Sequence, residues 1–409
     1  MKKSNILFIS QLVPYDTVDH AGGKIHNYYL KELNKLLDCN IDLISFARKE
    51  EEEKIDLDKY NINYQVFFYE NDFKSKIKRG FMNLPRKINF VSKYYGSMTS
   101  KFIEVNVIKA LKKKKAKGYK PDIIVLEWTH IVLLAKKILK IYPNVKLIAV
   151  EHDVSYLGIE RKLNLKKIKI FNKIRYNRFK KNEISNLRLC SLVLTLNVKD
   201  MKLLEKELNS TKLDYITPYY TLPKNEFNIK KKVDNYDIVF YGAMSRPENY
   251  LSCIWFIENV FNKLIEIDKR FKFIIVGSRP HEKLKKYESE NIILTGFVDD
   301  VTPYIQNSMC VVAPLVLGAG IKIKVLEAMA AGGLVLTNNI GIEGIPATNM
   351  KDYINCEAPE EYLDNILKIS NGKIDKEKIV KSAKKNLKSN FSLTSSLEKY
   401  KKYILSLLQ

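Results

Sequence analysis

VAPLVLGAGIKIKVLEAMAAGG, residues 312–333, joins an apolar strand to an apolar helix through a glycine-rich turn, and carries three charges in that company. The apolar run stops at Pro314, Gly318 and Gly320 follow, and the helix-length segment beyond is apolar on almost every side except at Lys322, Lys324 and Glu327. Taken as helical from Gly320, the segment sets Gly320, Lys324, Glu327 and Ala331 on one narrow face. Ile321, Val325, Ala328 and Gly332 form a second stripe, so the helix is buried nearly all round. Charges on such a helix need partners. Glycines at its mouth let a ligand approach the backbone, and the free N–H groups of a first turn favour an anion such as a phosphate. Lys322 and Lys324 add point charges suited to a diphosphate, and Glu327, two turns in, is placed to accept hydrogen bonds from ribose hydroxyls. The simpler alternative, a Lys324–Glu327 pair one turn apart, is worth a few tenths of a kcal/mol and leaves the glycines unexplained.

Outward from this stretch, short apolar runs alternate with helical segments in both directions. NILFIS (5–10) is followed by a helix at about 23–37 and by IDLISF (41–46). QVFFY (65–69), a lysine-rich helical region at about 92–115, DIIVLE (122–127), VKLIAVEH (145–152), CSLVLTL (190–196) and LDYITP (213–218) continue the series. TPYYTLPKNEFNIKKKVDN (217–235) has two prolines, a charge run and no periodicity, which marks a linker. A second series then runs through YDIVFYG (236–242), a helix at about 249–267, FKFIIVG (271–277), NIILTGF (291–297), SMCVVAP (308–314) and LVLTN (334–338). This is the grammar of parallel sheets with helices on both faces. The expectation is an α/β chain of two doubly wound Rossmann-like domains facing each other across a cleft. They span 1–218 and 236–390, joined by a linker at 219–235, with a final helix at 391–409 returning toward the first domain.

Composition narrows the classes. A chain of 409 residues with 46% hydrophobic residues supports two cores. The opening MKKSNILFISQLVP has too short an apolar run for a secretion signal and reads as a first strand, and no run approaches the ~18 apolar residues of a membrane span. Five scattered cysteines fit reduced thiols without metal spacing. Net charge is +24, and residues 1–218 hold most of it, with 43 Lys/Arg against 24 Asp/Glu. Its densest part, RKLNLKKIKIFNKIRYNRFKK (Arg161 to Lys181), has ten basic and no acidic residues. It reads either as a basic amphipathic helix on an anionic membrane surface or as a solvated helix. No zinc-finger, helix-turn-helix or RNP-type signature accompanies the charge, so nucleic acid is not an expected partner.

PLVLGAGIKIKVLEAMAAGGLVLTNNIGIEGI resembles the donor-site signature of family-4-type glycosyltransferases of the GT-B fold, in the branch patterned PL-x-x-G-x-G-I-K-x-K-x-L-E-A-M-A. FYGAMSRPENYLSCIWF, FIIVGSRP and NIILTGFVDDVTPYIQNSMCVV extend the likeness over about 236–345, and the first half follows more loosely. The resemblance implies transfer of a sugar from a nucleotide-sugar, such as a UDP- or GDP-sugar, to an acceptor, with retention at the anomeric carbon and no cofactor or bound metal. It implies that Glu327 binds the ribose and that Gly318, Ala319, Gly320, Ile321 and Lys322 meet the diphosphate and sugar. Lys322 or Lys324 would stabilise the leaving phosphate, where negative charge grows as the glycosidic bond breaks. Two departures stand out. The first glutamate of the family's pair is replaced by Ala319, and the common basic phosphate segment reads GAMSRPEN, with Ala243 and Glu248 at its basic positions. That leaves Arg246 as the nearby cation, unless it is a plain surface arginine.

In the first half the likeness assigns Gly22 and Gly23, after the first strand, to the donor phosphate, and His152, at a strand end, to the reacting carbon. Asp153 and Glu127 are weaker acceptor-side candidates, Glu127 with a structural role as its alternative. Asp56 and Asp58 form a D-x-D away from any strand end, which argues against a metal-dependent site. The reading is a cytoplasmic glycosyltransferase, peripheral on the inner face of the membrane, acting on a glycan or lipid-linked acceptor in surface polysaccharide or glycolipid synthesis. Its rivals are a nucleotide-sugar epimerase of the same fold and a non-catalytic nucleotide-sugar-binding scaffold.

Overall fold

The computed structural model describes residues 3–18, 20–70, 98–164, 170–208, 211–220, 235–318 and 320–409, with positions 77, 80, 81, 83 and 84, and gives the backbone alone at 161–164 and 170–172. Ala319, positions 221–234 of the expected linker and 165–169 of the basic segment lie outside the described residues. The chain forms two compact units, Met1–Tyr219 with Leu393–Gln409, and Tyr220–Ser392.

The first unit is built on seven parallel strands: β1 (Ser4–Ile9), β2 (Cys39–Arg48), β3 (Asn63–Tyr69), β4 (Ile123–Glu127), β5 (Lys146–Glu151), β6 (Leu192–Thr195) and β7 (Lys212–Tyr215), ordered β3-β2-β1-β4-β5-β6-β7. Ile6, Leu7, Phe8 and Ile9 of β1 and Ile123 to Leu126 of β4 are fully buried, because helices cover both faces and no position of a central parallel strand reaches water. The order reverses between β1 and β4, whose Ile6 and Ile123 lie side by side. At such a reversal the loops leave in opposite directions and open a crevice beyond the strands' carboxyl ends.

Helix α1 (Ala21–Leu36) starts two residues earlier than the glycine pattern suggests, because the His20 ring caps it, its Nδ1 accepting from the Gly23 N–H at 2.9 Å. Of the lysine-rich region expected as helical, 92–97 lie outside the described residues, and a helix spans Lys101–Ala116, introduced by Ser100, whose hydroxyl accepts from the Ile103 N–H at 3.2 Å. The basic segment contributes a helix at Ile170–Leu187. Phe179 on this helix is 1% exposed and part of the core. Lys180 pairs with Glu207 at 2.7 Å and lies over the Tyr156 ring. Among the described residues no helix is long and apolar enough to cross a membrane.

The second unit holds β8 (Asp237–Tyr241), β9 (Lys272–Val276), β10 (Ile292–Gly296), β11 (Cys310–Ala313), β12 (Val335–Thr337) and β13 (Ile354–Asn355), all parallel, ordered β10-β9-β8-β11-β12-β13. Its order reverses between β8 and β11. The single helix expected at 249–267 is instead α2 (Pro247–Phe256), a π turn at Ile257–Phe261 and a last turn at Asn262–Ile267. The wider turn lets Phe256 and Phe261 both meet Phe273, at ring separations of 4.9 and 5.6 Å, a tie that favours the irregular geometry.

Helix α3 (Ile323–Ala331) begins three residues later than the sequence pattern suggests. Gly318 (φ 140°) and Gly320 (φ 66°) take conformations reserved for glycine, and Lys322 is extended. Gly320 therefore belongs to the loop and not to the face shared by Lys324 and Glu327. The final helix, α4 (Leu393–Leu408), is part of the first unit. The Tyr29 hydroxyl on α1 bonds Ser396 at 2.8 Å, and Asp214 at the end of the sheet pairs with Lys399 at 2.6 Å and with the Tyr403 hydroxyl.

Candidate functional site

Each unit carries one constellation at its strand-order reversal. In the second unit it is assembled from Gly242 after β8, Gly277 after β9, the loop after β11 and the start of α3. Lys324, on the first turn of α3, directs its ammonium to the side-chain oxygen of Asn249 on α2 and lies 4.7 Å from the Phe240 ring centre. Among the described residues no carboxylate comes within 4.0 Å of it, so the sequence alternative of a pair with Glu327 is not realised. Lys322 bonds the Gly320 carbonyl oxygen and stands 3.5 Å from Glu343, whose side chain is fully buried. No side chain caps the N-terminus of α3. A buried ammonium with no carboxylate against it, beside an uncapped helix start, favours a bound anion.

Burial lowers the Lys324 ammonium to about 8, and two consequences carry opposite signs. Between about pH 8 and 10.5 the folded chain holds Lys324 neutral while the unfolded chain still binds its proton, so this residue's contribution to folding stability rises with pH there. Anion binding, which needs the proton, weakens over the same window. UDP affinity measured by calorimetry should drop about tenfold or more from pH 7 to pH 9.5, and a flat profile would exclude Lys324 from the anion site.

Backbone space around the ammonium is kept by glycine. A Cβ on Gly242 would lie 2.8 Å from Asn249 Nδ2 and 3.2 Å from Lys324 Nζ, and one on Gly318 would lie 2.8 Å from the Lys322 side chain. Glu327 sits two positions inside α3 from Val325, on the helix beside Tyr241, whose hydroxyl burial and the Glu327 charge raise together. The Arg246 charge acts on Lys324. Arg246 is the residue preceding α2, its side chain is 60% exposed, and it pairs with Glu248.

In the first unit the constellation gathers α1 and the ends of β4 and β5. Glu127 is 2% exposed, so the acceptor-facing role considered for it gives way to a buried one. One carboxylate oxygen lies 2.9 Å from His152 Nε2, and the other 3.5 Å from His26 Nδ1 on α1. Burial pushes the Glu127 carboxyl up, but the His26 imidazole and the hydrogen bond to His152 outweigh it and hold the group at about 2. Trp128 stacks on His152 at 4.2 Å and meets His26 edge-on at 5.6 Å. To do so it adopts φ 68°, a strained value for a side-chain-bearing residue.

Gly22 faces this cluster, since a Cβ there would come within 3.2 Å of the Trp128 ring and 3.4 Å of His152 Nδ1. Gly23 departs from the sequence reading, because its N–H is taken by the His20 ring and not left for a phosphate. Asp153 accepts from the Ser155 hydroxyl at 3.1 Å at the start of the next helix. That helix is further anchored by buried Glu183, which accepts from the Ser155 and Tyr156 N–H groups at 3.1 and 3.0 Å and is pushed up to about 8 chiefly by burial. The D-x-D acids have structural partners. Asp56 pairs with buried Lys31 at 2.6 Å, and Asp58 accepts from the Tyr64 hydroxyl. Among the described residues no group of three or more His, Cys, Asp or Glu side chains is placed to hold a metal ion.

Sequence reasoning passed over His26, Trp128, Asn249 and Glu343. His26 stands four positions after Gly22, on the same side of a helix, and Glu343 lies in the IGIEGI segment that closes the signature, so both carried a positional signal. Asn249 and Trp128 acquire their roles only through tertiary contacts.

Two parallel α/β units with these strand orders define the GT-B architecture. A crystal structure of HepE from Anabaena in complex with UDP superposes with a TM-score of 0.62, 13% identity, and coverage of 98% of this chain and 100% of that one. Residues 235–371 match the family model described as Glycosyl transferases group 1. A protein of the cps region of Klebsiella pneumoniae is 30% identical over 124 residues, 28% of this chain and 32% of its own length, so the match spans about a third of that relative. An uncharacterized glycosyltransferase of Methanocaldococcus jannaschii is 25% identical over 288 residues, 64% of this chain and 68% of its own. The chain thus has the GT-B fold, and residues 235–371 carry the likeness to group 1 glycosyl transferases.

Proposed function

We propose that the chain transfers a sugar from a nucleotide-sugar to a glycan or lipid-linked acceptor with retention of configuration, and that the second unit binds the nucleotide. The observation that carries this reading is Lys324, a cation set beside an amide and an aromatic ring at the mouth of a glycine-cleared helix. A diphosphate would place an anion against Lys324, whose ammonium contacts the neutral Asn249 and Phe240 side chains. As the glycosidic bond breaks, Lys322 and Lys324 stabilise the phosphate oxygens of the leaving nucleotide, the work a divalent metal performs in other transferases. Glu327 accepts from the ribose hydroxyls, and Gly318 to Lys322 pass close to the diphosphate and sugar. His152 in the first unit meets the transferred sugar. UDP is the favoured nucleotide, since the Anabaena HepE structure was solved with it.

The relative from the cps region supports a role in surface polysaccharide synthesis. The excess of basic residues in 1–218 suits a peripheral position on an anionic membrane, on its cytoplasmic side where nucleotide-sugars are made.

Calorimetry with UDP, GDP and ADP on the wild type and on Glu327→Ala tests the donor site. One nucleotide should bind selectively, and the substitution should weaken it at least tenfold, about 1.4 kcal/mol. Failure of the folded protein to bind any of the three, or binding indifferent to Glu327, would remove the donor-site reading. Release of the nucleotide only when an acceptor is present separates transfer from epimerisation of the donor.

A further inference from the structure

We propose that Glu127 is the positioning residue for His152: its carboxylate fixes the proton on Nε2 and leaves Nδ1 as the ring atom offered to a hydroxyl of the substrate, with His26 Nδ1 standing 3.5 Å from the second carboxylate oxygen. What Nδ1 meets rests on the transferase reading; the arrangement of the ring does not.

An ionised carboxylate only accepts hydrogen bonds, so the 2.9 Å contact places a hydrogen on His152 Nε2. A neutral imidazole then carries its lone pair on Nδ1. His152 Nδ1 is buried and has no hydrogen-bond partner among the described residues. The side chain is 7% exposed. A polar atom held so costs free energy unless something else pairs with it. It faces Gly22, the position at which even one carbon of side chain would intrude.

The rest of the cluster restricts the ring to this orientation. Trp128 lies flat against it, and the strain at Trp128 φ 68° is what lets the indole leave the strand end and reach the imidazole. His26, with 0% side-chain exposure, stands against the remaining carboxylate oxygen. A carboxylate enclosed in this way is held ionised by the groups against it, His26 first and then the hydrogen bond to His152. With His26 beside it, Glu127 stays ionised when His152 is neutral. From α4 the buried Tyr400 hydroxyl also feels this carboxylate, and burial first, then that charge, keeps it protonated far above its ordinary range. Neither group competes for Nδ1. An aspartate or glutamate behind a histidine acts in this manner in hydrolases, where the wrong tautomer is far less active although the geometry is intact.

The chain has five histidines, so ring nitrogen signals in 15N NMR spectra can be assigned by single replacement. In the full-length wild type at a pH where His152 is neutral, its proton should reside on Nε2. In Glu127→Gln, which keeps size and polarity, the Nε2–H form should lose population. Turnover of the nucleotide-sugar should fall about tenfold to a hundredfold, with UDP affinity, read in the second unit, within about threefold of wild type. A proton on Nδ1 in the wild type would overturn the proposal, as would a Glu127→Gln variant with unchanged tautomer and turnover. If the variant fails to fold, the wild-type spectrum still decides the tautomer. If the chain transfers no sugar, the transferase reading fails on its own, and the spectra continue to report whether Glu127 sets the ring.

Discussion

Lys324→Met should weaken UDP binding about a hundredfold, close to 2.8 kcal/mol, while the protein unfolds at the same or a higher denaturant concentration. The two effects separate because the ammonium has different partners in each state. Without ligand it rests on the Asn249 oxygen and the Phe240 ring, neither of which carries charge, and burying a cation there costs free energy. Methionine has a similar length, packs against Phe240 and removes that cost. With a diphosphate bound, the same ammonium makes a charge-assisted contact, and truncating one partner of such a pair costs about 2–5 kcal/mol. Lys322 gives a less clear test, since its ammonium also stands beside buried Glu343 and its loss acts on the fold as well. Calorimetry and urea unfolding on the same sample check both halves. UDP affinity unchanged in Lys324→Met would remove the lysine from the donor site, and a lower unfolding midpoint would show that the cation is stabilising in the free protein.

Gly277→Ala should be the most damaging single-methyl change in the second unit, lowering stability by about 3–5 kcal/mol or preventing folding. The residue has φ 150°, and a Cβ would lie 1.8 Å from the carbonyl oxygen of Gly242. That oxygen belongs to rigid backbone. Gly242 donates its N–H to Val276 at 3.0 Å, and Gly277 donates to Gly296 at 3.0 Å, so β8, β9 and β10 are tied together just where the methyl would enter. Relief requires parting the strand ends, and Gly242 borders Asn249 and Lys324. Urea unfolding measures the loss, and UDP binding should weaken in whatever fraction folds. A variant with the wild-type midpoint would mean that the β8 and β9 ends sit further apart in solution.

The strands were legible because burial on both faces writes them as unbroken apolar runs. Ile6 to Ile9 and Ile123 to Leu126 have no exposed side on which a polar residue survives. The order of those strands was not written there, since a parallel sheet's neighbours are chosen by the crossing helices. Helix starts were read poorly wherever backbone geometry decided them. Gly320 fits the helical stripe of α3, but its φ of 66° belongs to a turn, and His20 caps α1 although histidine is not a usual capping residue. The site divides in the same way. Lys322, Lys324 and Glu327 could be picked out because charge amid apolar residues is visible in one dimension. His26, Asn249 and Glu343 become meaningful only when α1, α2 and the loop after β12 bring them to residues distant in sequence, as with His26 to Glu127, Asn249 to Lys324 and Lys322 to Glu343.

Helix α4 comes last in the chain yet is part of the first unit, fastened through Tyr29, Asp214 and Ser396. A ribosome therefore delivers the second unit whole before the first has its closing piece. During that interval Tyr29 and Asp214 have emerged without the side chains that later engage them, and a nascent chain exposes the surface that α4 will cover. The first unit therefore closes only once Leu393–Leu408 has been made, later than every strand of the second.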